Sequence, residues 1–410
     1  MPGNLTGRER VLAALNFEET DRVPIDIGGM GSTGINAIAY RNLRKHFGLP
    51  GLVKVYDVYQ QLGWVDDDAK DILGGDVAQV FKRRGAFGIS RENWKQGEMT
   101  DGSECLVPEG FSPVKNSAGQ FVILDENGNT VGKRATDSHY YDGVFFPYGK
   151  AETEAGIDAV PMDYFSEEDL AFIEKQAAVL KQKNDRAVLL DFGGDILGAG
   201  QNNWGFEKFM EYMITEPGLV RYYLNKLTEC HMENLKNVLN RAGRHIDVIN
   251  FCDDLGSQQA PQLSPAMYRE IILPCHRRQF GFVRANYPHI KVFLHSCGAI
   301  KPLLPDLIDA GLQIINPVQI SARGMDPAVL KREFGRDLVF WGGGADMQSF
   351  VPFAAASEIK KHAEELICVF AKGGGFVFSQ IHNIQADVPP DKIAAIFSAA
   401  KKYVRQFGGY

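Results

Sequence analysis

Three observations predict an α/β fold for the 410-residue chain, a (β/α)8 barrel of the TIM type with a β-meander inserted in its N-terminal half. From residue 165 onward, short β-branched or aromatic runs alternate regularly with longer amphipathic stretches. The short runs are apolar throughout, as strands of a parallel sheet are when both faces are covered. Six such units and a strand region near the N-terminus come close to eight. No linker, low-complexity tract or long internal repeat divides the chain. One domain over 1–410, with a β-rich cap subregion at 75–150, is the economical organisation.

The elements follow in order. Residues 5–17, LTGRERVLAALNF, have helical spacing, with Thr6 or Asn4 as N-cap. TDRVPIDIGG reads as a turn, a strand from Val23 to Ile27 and a glycine-rich exit, followed by a helix near Ala37–Phe47. Between 75 and 150, stretches such as FVILD alternate with turn signals at Asp101-Gly102, Ser117-Ala118-Gly119 and Glu126-Asn127-Gly128-Asn129, which predicts a meander. Its end is rich in aromatics: Tyr140, Tyr141, Phe145, Phe146 and Tyr148. These form either the core of a structural elaboration or a cap over a pocket. Next, helix 166–183 leads to strand 187–195, and helices 205–214 and 217–241 to strand 247–254. Helix 265–287 leads to strand 291–298, helix 300–310 to strand 312–317, helix 326–334 to strand 337–344, and helix 355–372 to strand 375–383. A helix from 390 to about 407 closes the chain.

Hydrophobic residues make up 45% and charged residues 23%, the balance of a globular chain. A formal net charge of −7 gives no general attraction for nucleic acid or an anionic membrane. No apolar run nears the ~20 residues that span a bilayer. The opening MPGNLTGRERVLAAL carries charges where a signal peptide needs an apolar core, so a cytoplasmic location is expected. Six cysteines are too sparse for a disulfide scaffold.

Barrel active sites lie at the C-terminal strand ends. Here these ends read GGD (193–195), CDD (252–254), HSCG (295–298), NPVQ (316–319), GGGAD (342–346) and IHN (381–383). His295 and Cys297 share one side of their strand, and Gly298 lets the backbone turn after them. Both can reach one zinc ion, with His382 at the end of the last strand as third ligand; three protein ligands and an open position describe a catalytic zinc. The alternative is a buried histidine beside a cysteine that merely fills space. Of Asp253 and Asp254, adjacent on a strand, only one can face the mouth. That one is a fourth ligand, a partner fixing a histidine, or a general acid; otherwise it caps a helix or joins a salt bridge. Gln258, Gln319 and Asn383 are the expected substrate contacts. The glycine runs at 342–344 and 373–375 match no phosphate-binding motif. Cys230, Cys252, Cys275 and Cys368 are expected in the core.

Several segments taken together resemble the uroporphyrinogen decarboxylase superfamily, and within it the zinc-dependent corrinoid methyltransferase branch. They are RERVLAALNFEETDRVP (8–24), DDLGSQ (253–258), HSCG (295–298), INPVQISARGMDP (315–327) and GGGFVFSQIHNIQADVPP (373–390). That branch includes the methylcobalamin:coenzyme M methyltransferases and corrinoid-dependent demethylase components. The resemblance places His295 and Cys297 on the family's first two zinc ligands. His382, in FSQIHNIQADVP, stands where the family often has a cysteine in a segment like LSPGCGIPPDTP; decarboxylases carry a histidine at a similar place without metal. The decarboxylases' arginine motif, resembling RQAGR, is replaced by GGMGSTGINAIAY (28–40), which leaves a polycarboxylate tetrapyrrole without cationic partners. No D-x-H-x-x-G corrinoid signature is present, so the resemblance implies a cobalamin carried by a separate partner protein. The expected function is zinc-dependent methyl transfer between a small methylated substrate, such as a methyl ether or methylamine, and that corrinoid protein. The aromatic-rich insertion favours the demethylase direction. A metal-free decarboxylase using Asp253 or Asp254 as acid is the second reading, and a non-catalytic binding barrel the third. Barrels of this size often form homodimers.

Overall fold

The computed structural model describes residues 5–403. Asn4 and the predicted helix end beyond 403 lie outside the described residues. The first helix, Gly7–Leu15, is set by Thr6: its Oγ accepts from Glu9 N at 3.2 Å, and Glu9 accepts from Thr6 N at 2.9 Å, a capping box.

Seven parallel strands lie side by side in the order Phe376–Val377, Val339–Trp341, Ile314–Asn316, Lys291–His295, Val248–Cys252, Ala187–Gly193 and Val77–Val80. Both edges of this curled sheet meet the extended segment 23–27. On one side Asp26 N donates to Phe378 O at 2.8 Å and Phe378 N to Pro24 O at 2.8 Å; on the other, Asp76 N donates to Ile25 O at 2.7 Å. Segment 23–27 is therefore the eighth stave, and the sheet closes into the expected barrel.

Side chains alternate along each strand. One set, Val77, Leu189, Val248, Phe293, Ile314, Val339, Trp341 and Val377, packs inside the barrel with Val11 and Leu15 of the first helix and with Met30. The next inward positions toward the C-terminal ends are polar: Gln79, Asp191, Asn250, His295 and Asn316. Register sets Cys252 beside His295 and His295 beside Asn316. The barrel is thus dry below and polar at its mouth, which is where a reaction centre can form.

Residues 77–80, expected within the meander, are instead a buried barrel strand. The run Val-Ala-Gln-Val is short and broken by a glutamine, so nothing local separates it from the hairpins that follow. Those comprise the pair Trp94–Glu98 and Glu104–Pro108, then a four-stranded antiparallel sheet of Val114–Lys115, Phe121–Leu124, Thr130–Arg134 and Asp142–Gly143. An unanticipated helix, Leu197–Trp204, contains Gly198 and Gly200, poor helix formers. Tertiary contacts hold it: the Phe209 ring packs so closely on Gly200 that a Cβ there would lie 2.1 Å from it. Cys230 and Cys275 are buried as expected, Cys252 reaches the polar layer, and Cys368 is exposed on the outer face of the Ala356–Phe370 helix.

Candidate metal centre at the barrel mouth

His295, Cys297 and His382 converge: one ligand atom from each lies within 4.8 Å of the other two. His295 ends its strand and is nearly buried, and its Nε2 is 3.5 Å from Cys297 Sγ. The other ring nitrogen, Nδ1, meets Asn316 Oδ1 at 2.7 Å. Asn316 is fully buried, and its Nδ2 donates to Trp341 O at 2.8 Å. That bond fixes the amide so that Oδ1 is the acceptor. His295 must then carry its proton on Nδ1, leaving the Nε2 lone pair toward the cluster.

Cys297 is the second residue past the strand end. Asp254 Oδ1 accepts from Cys297 N at 2.8 Å and lies 3.7 Å from His295 Nε2. Gly298, at φ +89°, closes the turn against residues 256–257; a Cβ there would meet Gly256 C at 2.5 Å and Ser257 O at 2.6 Å. Only glycine combines that φ with that approach. Burial pushes the Cys297 thiol well above its ordinary value, and the Asp254 carboxylate pushes it further. A cation is what makes this sulfur a thiolate ligand.

His382 has φ +64°, unusual for a residue other than glycine. Its neighbours are pinned on both sides: Ile381 N donates to Ala345 O at 2.9 Å, and Ile384 N to Gly34 O at 3.0 Å. Its Nδ1 pairs with Asn383 Oδ1 at 3.1 Å. Burial, then the adjacent His295, lowers its pKa, so the ring is neutral and Nε2 is free to ligate. Two imidazoles and a thiol beside a carboxylate suit zinc chemically.

The other expected residues divide. Asp254 is the carboxylate at the cluster. Asp253 is buried, and its oxygens accept from Leu197 N at 3.0 Å and Gly198 N at 2.8 Å while His276 Nε2 stands at 3.1 Å. It holds the N-terminus of the Leu197–Trp204 helix, where a negative charge is favoured. Gln319 Oε1 accepts from Gly298 N at 2.8 Å, and Gln319 and Gln258 both donate to Gln348 Oε1, at 2.8 and 3.1 Å. Asn383 is buried, orients His382, and also accepts from Gln385 Nε2 at 2.6 Å. Gln385 is in turn reached by the Tyr140 hydroxyl from the insertion.

Sequence reasoning passed over Asn316, Ser32, Gln385 and the mouth layer. There Gln79 Nε2 and Asn250 Nδ2 donate to Asp191, at 3.3 and 2.9 Å. A usable signal existed: Asp191 and Asn250 interrupt otherwise apolar strands.

The sequence model of the uroporphyrinogen decarboxylase (URO-D) family matches residues 196–403, about half of the chain, which includes all three clustered residues. A uroporphyrinogen decarboxylase from Chlorobaculum parvum is 25% identical over 262 residues, 61% of this chain and 70% of that protein. One from Aeromonas salmonicida is 22% identical over 288 residues, 65% of this chain and 75% of that protein. Among solved structures, a methyltransferase from Methanosarcina mazei superposes with a TM-score of 0.62 at 16% identity, covering 98% of this chain and 100% of that one; the likeness is one of fold. No helix among the described residues is long and apolar enough to cross a membrane. The match of the family model across the C-terminal half of the chain, on a barrel closed by segment 23–27, makes this chain a member of the uroporphyrinogen decarboxylase (URO-D) family.

Proposed function

We propose that the protein is a zinc-dependent methyltransferase that passes a methyl group from a small methylated substrate to a separate corrinoid protein. The observation that carries this reading is the His295–Cys297–His382 cluster, with Asn316 and Asn383 orienting its two rings. These three residues would hold the ion, and zinc there supplies Lewis acidity toward the substrate heteroatom. Asn316 keeps the His295 lone pair on the cluster. Asp254, beside His295 and Cys297, is the carboxylate available for proton handling; Asp253 is committed elsewhere. A macromolecular partner is supported by Phe145, Phe146 and Phe206, exposed at 51%, 44% and 60% beside the helix that follows the Ala187–Gly193 strand. The antiparallel insertion reaches the centre through Tyr140 and Gln385, which supports a cap role.

The relatives named as decarboxylases favour a second reading, metal-free decarboxylation. Against it, the arginines nearest the glycine-rich segment are already paired, Arg41 with Asp101 and Arg44 with Asp66 and Asp68. Elemental analysis of the purified protein decides between them. About one zinc per chain, lost in Cys297→Ala and His382→Ala, is the expected result. A wild type that takes up no metal on incubation with zinc would return the decarboxylase reading to the front.

A further inference from the structure

A cleft of about 860 Å³ opens beside the stave Val77–Val80, between the Glu167–Lys183 helix and the hairpin strand Trp94–Glu98. No residue of the His295–Cys297–His382 cluster lines it, so it is a separate site. Trp64, Phe81 and Phe172 form one wall, with ring centroids 5.1 Å apart for the first pair and 5.8 Å for the second. Trp94 lines the cleft apart from that row, and the Lys54 ammonium lies 5.4 Å over its ring. All four rings are only partly buried, and Val179 at the rim is exposed. An aromatic-walled cleft of this size, left open by a folded chain, has the form of a small-molecule site.

Its polar groups are few and under-used. Gln79 lines the cleft and is 3% exposed. Its Nε2 donates to Asp191 Oδ2 at 3.3 Å, which makes Oε1 the atom left over, and Oε1 has no partner among the described residues. The Tyr56 hydroxyl beside it is also buried and unpartnered. A buried acceptor left unmade is costly, and a donor entering the cleft removes that cost. The Arg91 guanidinium lies 5.5 Å over the Tyr56 ring and 5.4 Å over Phe81, and its Nε donates to Tyr56 O at 2.9 Å. Among the described residues, neither Arg91 nor the two lysines of the cleft, Lys54 and Lys175, pairs with a carboxylate. Both acids of the cleft are engaged, Glu92 with Arg83 at 3.1 Å and Glu168 with Ser166 Oγ at 2.8 Å.

We propose that the cleft binds a planar heteroaromatic ring bearing an N–H donor and one attached anionic group, the chemistry of a nucleoside monophosphate. The ring stacks on the aromatic wall and on the flat Arg91 cation. Its N–H donates to Gln79 Oε1, and its anion meets Lys54 and Lys175 at the rim. The proposal does not draw on the methyl-transfer reading.

The test titrates adenosine 5′-monophosphate into the full-length protein and follows tryptophan fluorescence. Of the four tryptophans, Trp204 and Trp341 are buried away from the cleft, so a response reports Trp64 and Trp94. Saturable quenching is expected. Ribose 5-phosphate, which cannot stack, should bind about tenfold or more weaker. Adenosine, without the anion, should lose about tenfold, and so should purine riboside 5′-monophosphate, whose missing amino group leaves Gln79 Oε1 unpaired. Trp94→Leu should weaken the adenylate about tenfold with zinc content unchanged, and Gln79→Leu should erase its advantage over the purine riboside phosphate. Equal affinity for ribose 5-phosphate would reduce the site to an anion on surface lysines and overturn the proposal. So would the absence of saturable quenching, or quenching that follows protein concentration alone as a second copy covers the rings. The ligand series on the wild type decides without any variant having to fold. Failure here leaves the zinc cluster and its reading untouched, and a metal-free protein that binds the adenylate leaves the cleft standing.

Discussion

Asn316→Ala tests whether the histidine is held for metal binding. Asn316 is fully buried, and its amide meets three groups: His295 Nδ1 at 2.7 Å, Trp341 O at 2.8 Å and Ser32 Oγ at 3.0 Å. Truncation leaves the first two buried without partners, while half-exposed Ser32 reaches water. Each buried group left unmade costs ~1–3 kcal/mol. A water entering the vacated space recovers part of that, so a loss of ~2–4 kcal/mol is expected in urea unfolding of the metal-free protein. Independently, the His295 tautomer is no longer fixed, and zinc affinity should fall roughly 10–100-fold in a chelator competition. Asn316→Asp separates the two effects: it keeps an acceptor against His295 and turns its second oxygen on the Trp341 carbonyl. That variant should lose stability yet retain affinity for zinc. A folded Asn316→Ala protein that binds zinc within about twofold of wild type would refute the orienting role.

Gly298→Ala forces a Cβ to 2.5 Å from the Gly256 backbone at φ +89°; thermal unfolding should show a loss of several kcal/mol, about the upper range for single substitutions, and elemental analysis should show most of the zinc gone. A wild-type melting curve would mean that the turn yields freely. Asp195→Asn should stabilise the metal-free protein in a pH-dependent way. The folded pKa, about 6 against 3.8 unfolded, is raised, so the native state binds the extra proton and the charged form is penalised. The penalty is absent below the unfolded value, grows between the two and is complete above about pH 6, reaching at most ~3 kcal/mol. Denaturation at pH 7.5 should therefore show a gain that vanishes near pH 3.5, and an equal gain at both would contradict the assignment. Tyr140→Phe removes the hydroxyl that reaches Gln385. It should cost ~1 kcal/mol and weaken zinc only slightly, because Asn383 still faces His382; a full loss of zinc would show that the insertion holds the ligand directly.

The convergence of His295, Cys297 and His382 was legible because strand parity and the strand-end rule are local. His295 and Cys297 are two residues apart on one strand, and His382 ends the last one. The same parity argument said that only one of Asp253 and Asp254 faces the mouth without saying which. That choice depends on the Leu197–Trp204 helix, whose glycines conceal it and whose N-terminus claims Asp253. The residues that orient the histidines were illegible for a different reason. Asn316 is near His295 only across two neighbouring strands, and Ser32 and Tyr140 reach their partners over 284 and 245 residues. Pairing at that distance is a product of barrel closure, not of any pattern along the chain. The barrel strand Val77–Val80 went unseen because four residues are too few to show a period.

The glycine-rich segment after the first stave gains a physical role from these contacts. Where the resemblance led one to look for arginines, residues 28–36 instead support both histidines. Ser32 Oγ donates to Asn316 Oδ1, which faces His295 Nδ1. Gly34 O accepts from Ile384 N, and Asn36 N donates to Ile384 O at 2.8 Å, clamping the loop that holds His382 in its left-handed conformation. Backbone groups and a small hydroxyl can approach that closely, whereas an arginine side chain would occupy the space between them and the mouth. Thr33 caps the same turn, with Oγ1 accepting from Met30 N at 3.2 Å, so the segment is rigid despite its glycines. One stretch of chain, which carries no arginine, thus supports both histidines of the cluster. That support, in a segment without arginine, is the physical ground on which we propose methyl transfer rather than decarboxylation.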